Sequence, residues 1–284
     1  MPKYVVRCGS MRTLNVLQAK DALRRGTRVI ARTQRGLEYG EVLCEATPEA
    51  LQSMANPPGG TIQRVATTQD ENELLRITRL ARDEFLKCRS IVQEMKLEMD
   101  LVDLEHLLGG ERVVIYYIAE DRIDFRELVK RLAHEFQTRI EMKQIGVRDE
   151  AKLLADYGDC GKPVCCNTHL IQMPPVSMKM AKLQKATLDP SKISGRCGRL
   201  KCCLRYEYDT YEEIAKDLPA LGVDVVTQQG RARVLGQEVL AKQLLVQMED
   251  GRRIVIPSSD VLSVIRAAKR RSEHESAEEV PPQE

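Results

Sequence analysis

Apolar and polar positions alternate or recur in distinct textures along the 284-residue chain, and each texture predicts a kind of element. Tyr4-Val5-Val6, Arg28 to Ala31 and Glu41 to Cys44 are short β-type runs, and the last two flank a glycine-bearing segment, Thr33 to Gly40, suited to a hairpin. Asn56-Pro57-Pro58-Gly59-Gly60 breaks regular structure and reads as a linker. Over residues 70–98 Leu74, Ile77, Ala81, Phe85, Cys88, Val92 and Met95 recur every three or four positions, the stripe of one long helix with Asp70 as its N-cap. Residues 97–103 and 112–118 read as strands. Asp124 caps a helix carrying Leu128, Leu132 and Phe136, and 139–145 alternates as a third strand. From Pro219 on, short strands punctuated by Gly230, Gly236, Asp250-Gly251 and Pro257 predict a small antiparallel barrel. Residues 267–284 are charged and proline-containing, as expected of a disordered tail.

The fold class expected is α+β. Its parts are an N-terminal β-rich unit (1–56), a central α+β unit (70–148), a cysteine-rich region (149–212) and a C-terminal small antiparallel β-barrel (218–266).

The cysteines change this picture most. Cys160-Gly-Lys-Pro-Val-Cys165-Cys166 returns, 37 residues on, as Cys197-Gly-Arg-Leu-Lys-Cys202-Cys203. Six of nine cysteines lie in these two blocks, which points to a disulfide framework or a soft metal centre. The N-terminus lacks an apolar leader and no run approaches the roughly 20 apolar residues of a membrane span. The expectation is therefore a cytoplasmic protein with reduced thiols and metal-binding blocks. Adjacent cysteine side chains point apart, so one thiol of each vicinal pair is expected to face a centre. Six thiols exceed what one tetrahedral zinc needs, and a Cys-x4-Cys spacing suits an iron–sulfur cluster better than zinc. Cys8, Cys44 and Cys88 read as packed or surface thiols, and His106 and His134 as structural histidines.

Net charge is only +2, so any polyanion site must be local. Eight basic residues face one acid between Ser177 and Arg205. Lys179, Lys182, Lys185, Arg196, Arg199 and Lys201 are accordingly candidates for an anion or nucleic-acid patch, for thiolate stabilisation, or for a solvated basic face. No catalytic constellation stands out: there is no Ser-His-Asp set, phosphate-binding glycine loop or Cys-x-x-Cys beside a βαβ unit. The chain is not expected to be an enzyme.

The segments Arg122-x-Asp124-Phe125-Arg126-Glu127-Leu128-Val129 and Thr138 to Glu150, both cysteine blocks, Val176-Ser177-x-Lys179-Met180-Ala181-Lys182 between them, and Gly36-Leu37-Glu38-x-Gly40 resemble the YaaT/RicT family, the bacterial branch of the PSP C-terminal-domain proteins. The resemblance implies a cytoplasmic regulator that forms a complex with small helical proteins of the YlbF and YmcA types. It also implies oxygen-sensitive [4Fe-4S] clusters and modulation of ribonuclease Y in mRNA maturation. Cys160, Cys165, Cys166, Cys197, Cys202 and Cys203 match the family's cysteine positions, some of which bind cluster iron there, and partner chains can supply further ligands. The competing reading is a zinc-stabilised nucleic-acid-binding module that contacts RNA.

Overall fold

Gly60 shows why the first unit closes. A Cβ there would sit 2.4 Å from the Arg32 carbonyl oxygen and 2.9 Å from Leu17, so only glycine lets this segment press against its neighbour. In the computed structural model, which describes residues 1–52, 54, 56–154, 157–170 and 173–265, the stretch expected to be a linker therefore begins a strand. The N-terminal elements are β1 (Lys3–Cys8), β2 (Thr13–Gln18), β3 (Arg28–Arg32), β4 (Leu37–Glu45), the short helix α1 (Pro48–Gln52) and β5 (Gly59–Val65). The five strands form a closed barrel in the order β1-β2-β5-β3-β4. Strand β5 runs parallel to β2 and antiparallel to β3. Tyr4, Val6, Leu17, Val29, Val42 and Ile62 fill the barrel, and closure leaves it no free edge.

Helix α2 (Thr68–Glu94) follows. Its N-cap is Thr67, whose hydroxyl accepts from the Asp70 amide while the Asp70 carboxylate accepts from the Thr67 amide at 2.8 Å. Asp70 is thus the third residue of a capping box rather than the cap itself. The predicted stripe is buried at Ile77, Ala81, Cys88 and Val92. The sheet below it contains β6 (Asp100–His106), β7 (Arg112–Ile118) and, after α3 (Arg126–Phe136), β8 (Arg139–Gln144). β6 pairs antiparallel with β7, and α3 is the crossover that brings β8 parallel to β7. β6 starts at Asp100 rather than Leu97, because Lys96 turns through φ +52° after the helix. The first turn of α3 begins one residue beyond Phe125, and the Asp124 carboxylate accepts from the Arg126 amide at 3.1 Å. Leu104, Val113, Ile115, Leu128 and Leu132 join Ala81, Cys88 and Val92 of α2 in one core.

The chain then forms α4 (Val147–Leu154), α5 (Cys165–Thr168), α6 (Met178–Leu183), α7 (Pro190–Ile193) and α8 (Cys202–Lys216). The C-terminal strands are β9 (Asp224–Thr227), β10 (Gly230–Glu238), β11 (Gln243–Met248), β12 (Arg253–Pro257) and β13 (Val261–Ile265). They form a five-stranded antiparallel sheet in the order β12-β11-β10-β9-β13. Their antiparallel character is as expected, and Gly251, at φ +82°, makes the predicted β11–β12 hairpin. Closure, expected of these strands, belongs instead to the N-terminal sheet, where β5 bridges β2 and β3; β12 and β13 end the C-terminal order. Val225, Val234, Leu244, Val246 and Leu218 form the core here, with Tyr211 and Ile214 of α8 packed on it. Of the described residues, those within 1–176 and 189–202 form one compact unit, and those within 177–188 and 203–265 form another. The predicted tail, 267–284, lies outside the described residues.

Candidate metal centre

Both cysteine blocks fold as the same hairpin. In the first, Tyr157 bridges Pro163, the Gly158 amide donates to the Lys162 carbonyl at 2.8 Å, and the Gly161 amide donates to the Gly158 carbonyl at 3.0 Å. In the second, Ser194 bridges Leu200, the Gly195 amide donates to Arg199 at 2.8 Å, and the Gly198 amide donates to Gly195 at 2.9 Å. Each loop has three residues, Asp159-Cys160-Gly161 or Arg196-Cys197-Gly198, and closes through a left-handed glycine, at φ +73° and +72°. Each hairpin then leads into a helix that starts with the vicinal cysteines, α5 at Cys165 and α8 at Cys202. The sequence repeat is therefore a structural repeat, one cysteine at the loop tip and two at a helix start.

The hairpins meet within the first unit. Arg196 Nε donates to the Tyr157 carbonyl at 3.1 Å, and Asp159 pairs with Lys201 at 3.2 Å and with Arg196 at 3.9 Å. Cys166 lies within electrostatic reach of both Cys202 and Cys197. Burial pushes the Cys166 thiol above its ordinary pKa, and the neighbouring Cys202 and Cys197 push it the same way. Lys152 of α4 acts in the opposite direction on Cys166. Burial lowers the Lys152 ammonium, which Asp149 and Cys166 partly offset. Lys152 and Asp159 escaped sequence reasoning because both look like ordinary surface charges. The one available signal was that Asp159 and Arg196 share a position in the repeat.

All six block cysteines are unbridged. Cys160 is exposed, and Cys165, Cys166, Cys197, Cys202 and Cys203 are half-buried. Among the described residues no group of three or more His, Cys, Asp or Glu is placed to hold a metal ion. The donor chemistry nonetheless suits a soft-metal group: thiols stand on glycine-closed loops and helix starts. The buried Asn167 Oδ1, directly after Cys166, has no hydrogen-bond partner among the described residues, so a donor is owed to this spot. Cys8 and Cys88 are buried in cores and Cys44 is exposed, as expected of packed and surface thiols. His106 is a structural histidine held 2.5 Å from Glu84, and His134 is exposed on α3.

The basic stretch is partly neutralised. Lys185 pairs with Glu238 at 2.7 Å, and Arg196 and Lys201 pair with Asp159. Half of the six candidate patch residues thus spend charge within the protein. Lys179, Lys182 and Arg199 show no such pair among the described residues.

Residues 60–145 match the PSP1 C-terminal conserved region, and residues 175–218 match the third domain of PSP1-like proteins. The first match runs from β5 through β8, and the second spans α6, α7, the second hairpin and α8. The chain is 42% identical over 230 residues to the stage 0 sporulation protein YaaT of Bacillus subtilis (strain 168), covering 80% of this chain and 82% of that protein. It is 36% identical over 81 residues to an uncharacterized protein of Schizosaccharomyces pombe, 28% of this chain and 11% of the other. No solved structure matches.

Proposed function

Because the chain belongs to the YaaT family of PSP1 proteins, we propose that it is a cytoplasmic regulatory component, not an enzyme, whose paired cysteine hairpins hold an iron–sulfur cluster. The Bacillus relative is named as a sporulation protein, and the same kind of regulatory role is assigned here. The observation that carries the cofactor reading is the duplication: two identically bonded hairpins, joined by Asp159, present thiols at matched positions. Cys166, with Cys202 and Cys197 in its electrostatic field, and those two cysteines are the inner donors. Cys160, Cys165 and Cys203 complete the candidate set. The cluster would supply oxygen-sensitive redox chemistry when bound. The chain's own part is to offer thiolates, to screen their charge with Lys152 and to hold the two loops together through Asp159. Full ligation requires the loops to draw closer or another chain to donate a ligand.

In this reading the partners are YlbF-like and YmcA-like helical proteins, and the complex modulates RNase Y-dependent mRNA processing. Support for that step is family membership alone. No helix among the described residues is long and apolar enough to cross a membrane.

Anaerobic purification, alone and co-expressed with such partners, followed by iron, zinc and sulfide analysis, tests the cofactor. A [4Fe-4S] cluster gives a brown protein with about four iron and four sulfide per chain. Simultaneous Cys166→Ser and Cys202→Ser substitution abolishes both. Stoichiometric zinc without sulfide, with steeply salt-dependent RNA binding lost on charge removal at Lys179 and Lys182, would instead establish the zinc-stabilised nucleic-acid-binding module. The unpaired state of those two lysines is what favours that second reading.

A further inference from the structure

A cleft of 980 Å³ lies within the first unit, walled by α2 on one side and by β1, β4 and β6 on the other. Its inner wall is apolar, with Leu74, Ile77, Ala81 and Phe85 facing Leu104 and Leu108. Its outer lip is apolar as well. Leu75 is 58% exposed and Leu86 63% exposed, eleven positions apart on the same side of α2. Two large leucines left wet at a concave surface are a costly feature unless something covers them.

The charges of the cleft are largely spent. Glu41 pairs with Arg7 at 2.7 Å and Glu71 with Arg28 at 2.9 Å, while Arg35 takes both Glu38 at 2.9 Å and Glu105 at 2.5 Å. Two arginines at the lining remain. Arg82, exposed between the two leucines, has no acidic partner among the described residues, and Arg12 reaches only the Asn167 carbonyl, at 3.5 Å. One carboxylate, Asp103, is left over, half-buried next to Ser10. The lip is thus a leucine–arginine–leucine stripe about 16 Å long, three turns of helix.

We propose that this cleft docks an amphipathic α-helix from another protein. The helix would set leucine-type side chains against Leu75 and Leu86 and a carboxylate against Arg82. A helix suits the stripe because its own side chains repeat over the same three turns. A strand could not extend the barrel, which has no edge, and one added to β6, which ends the three-stranded sheet, would pair with backbone and not cover Leu75 and Leu86 of α2. A second copy of this chain would bring its own Arg82 to the dyad, placing like charges together. A phosphate backbone would leave the leucines exposed. The inference stands on the cleft alone. Its failure leaves the iron and sulfide result untouched, and absence of a cluster leaves the cleft untouched.

The probe is a fluorescein-labelled helical peptide of about 18 residues, long enough to hold a helix once docked. It carries leucine at i, i+4, i+7 and i+11 with flanking glutamates, and is titrated into the full-length protein by anisotropy. Two further peptides have lysine for glutamate, or a scrambled order. The expected result is saturable binding of the acidic peptide only. Joint Leu75→Ser and Leu86→Ser substitution weakens it at least about tenfold. Arg82→Glu weakens the acidic peptide and gains binding of the lysine peptide. These residues are exposed, so the variants should retain native circular dichroism; Leu75→Gln with Leu86→Gln serves if the serine pair does not. Equal binding of all three peptides, or an acidic-peptide affinity unchanged by the leucine substitutions, overturns the proposal.

Discussion

Asp159 and Arg196 occupy the same position in two copies of one hairpin, carry opposite charges, and pair across the copies at 3.9 Å. A repeat whose equivalent loop residues attract one another holds its two halves face to face. Lys201 strengthens the contact from the base of the second hairpin, 3.2 Å from the same carboxylate. Because all three groups are partly exposed, the contact orients more than it stabilises. A double-mutant cycle of Asp159→Asn and Lys201→Gln, read by urea unfolding, should give a coupling of about 0.2–1 kcal/mol that shrinks with added salt. A coupling of zero at low salt would show that the loops are held by other forces.

The loop glycines make a second, matched prediction. No side chain crowds either one; only their left-handed backbone requires glycine. Gly161→Ala and Gly198→Ala should each cost about 1–2 kcal/mol. Nearly equal penalties follow from the shared geometry. A large penalty at one and none at the other, by thermal or urea unfolding, would mean that the hairpins are not equivalent.

Arg35 sits among Glu38, Glu105 and the Tyr116 hydroxyl, and thereby ties the barrel to the three-stranded sheet. Tyr116 also donates to Glu105 at 2.6 Å and the Ser10 amide to its other oxygen at 2.8 Å. Replacing Arg35 with Leu leaves two buried carboxylates without their cation and should cost about 3–5 kcal/mol, with a corresponding fall in Tm.

Glu38 in this network predicts a pH signature. Burial raises its pKa above the ordinary carboxylate value, although the Thr33 hydroxyl and Arg35 oppose the shift. The native state therefore holds this proton more tightly than the unfolded chain. The resulting stability is complete below the ordinary carboxylate pKa and is lost as pH rises through the raised one. Glu38→Gln removes that slope. Urea unfolding from about pH 4 to 7 should show the variant's stability improving relative to wild type as pH increases. A difference that stays flat with pH would contradict a raised Glu38.

Thiol reactivity separates the nine cysteines. Burial pushes Cys8 and Cys88 up to about 12, Glu38 adding to the first and Glu84 to the second, so neither forms a thiolate readily at neutral pH. Mass-resolved alkylation of the native, metal-free protein should label the exposed Cys44 and Cys160 first and leave Cys8 and Cys88 protected until unfolding. Loading a cluster should protect Cys160 but not Cys44.

The periodicity of α2, the alternation and apolar runs of the sheet strands, the Asp250-Gly251 turn and the duplicated cysteine blocks were all legible in the chain, because each is a local pattern with a local physical cause. Boundaries were less legible. Thr67 caps α2 with Asp70 as its reciprocal partner, and either residue type could have filled the cap. Gly59-Gly60 reads as a break by composition. Only the close approach of the Arg32 carbonyl makes glycine a requirement of the strand that closes the barrel. The linear order of residues determined that six thiols come in two matched sets. Folding decided that those sets lie side by side and that Lys152 stands beside one of them. It also matched Arg35 with two carboxylates drawn from separate sheets, and left Arg82 between two wet leucines. Those relationships depend on contacts between residues far apart in the chain, and local propensity carries no record of them.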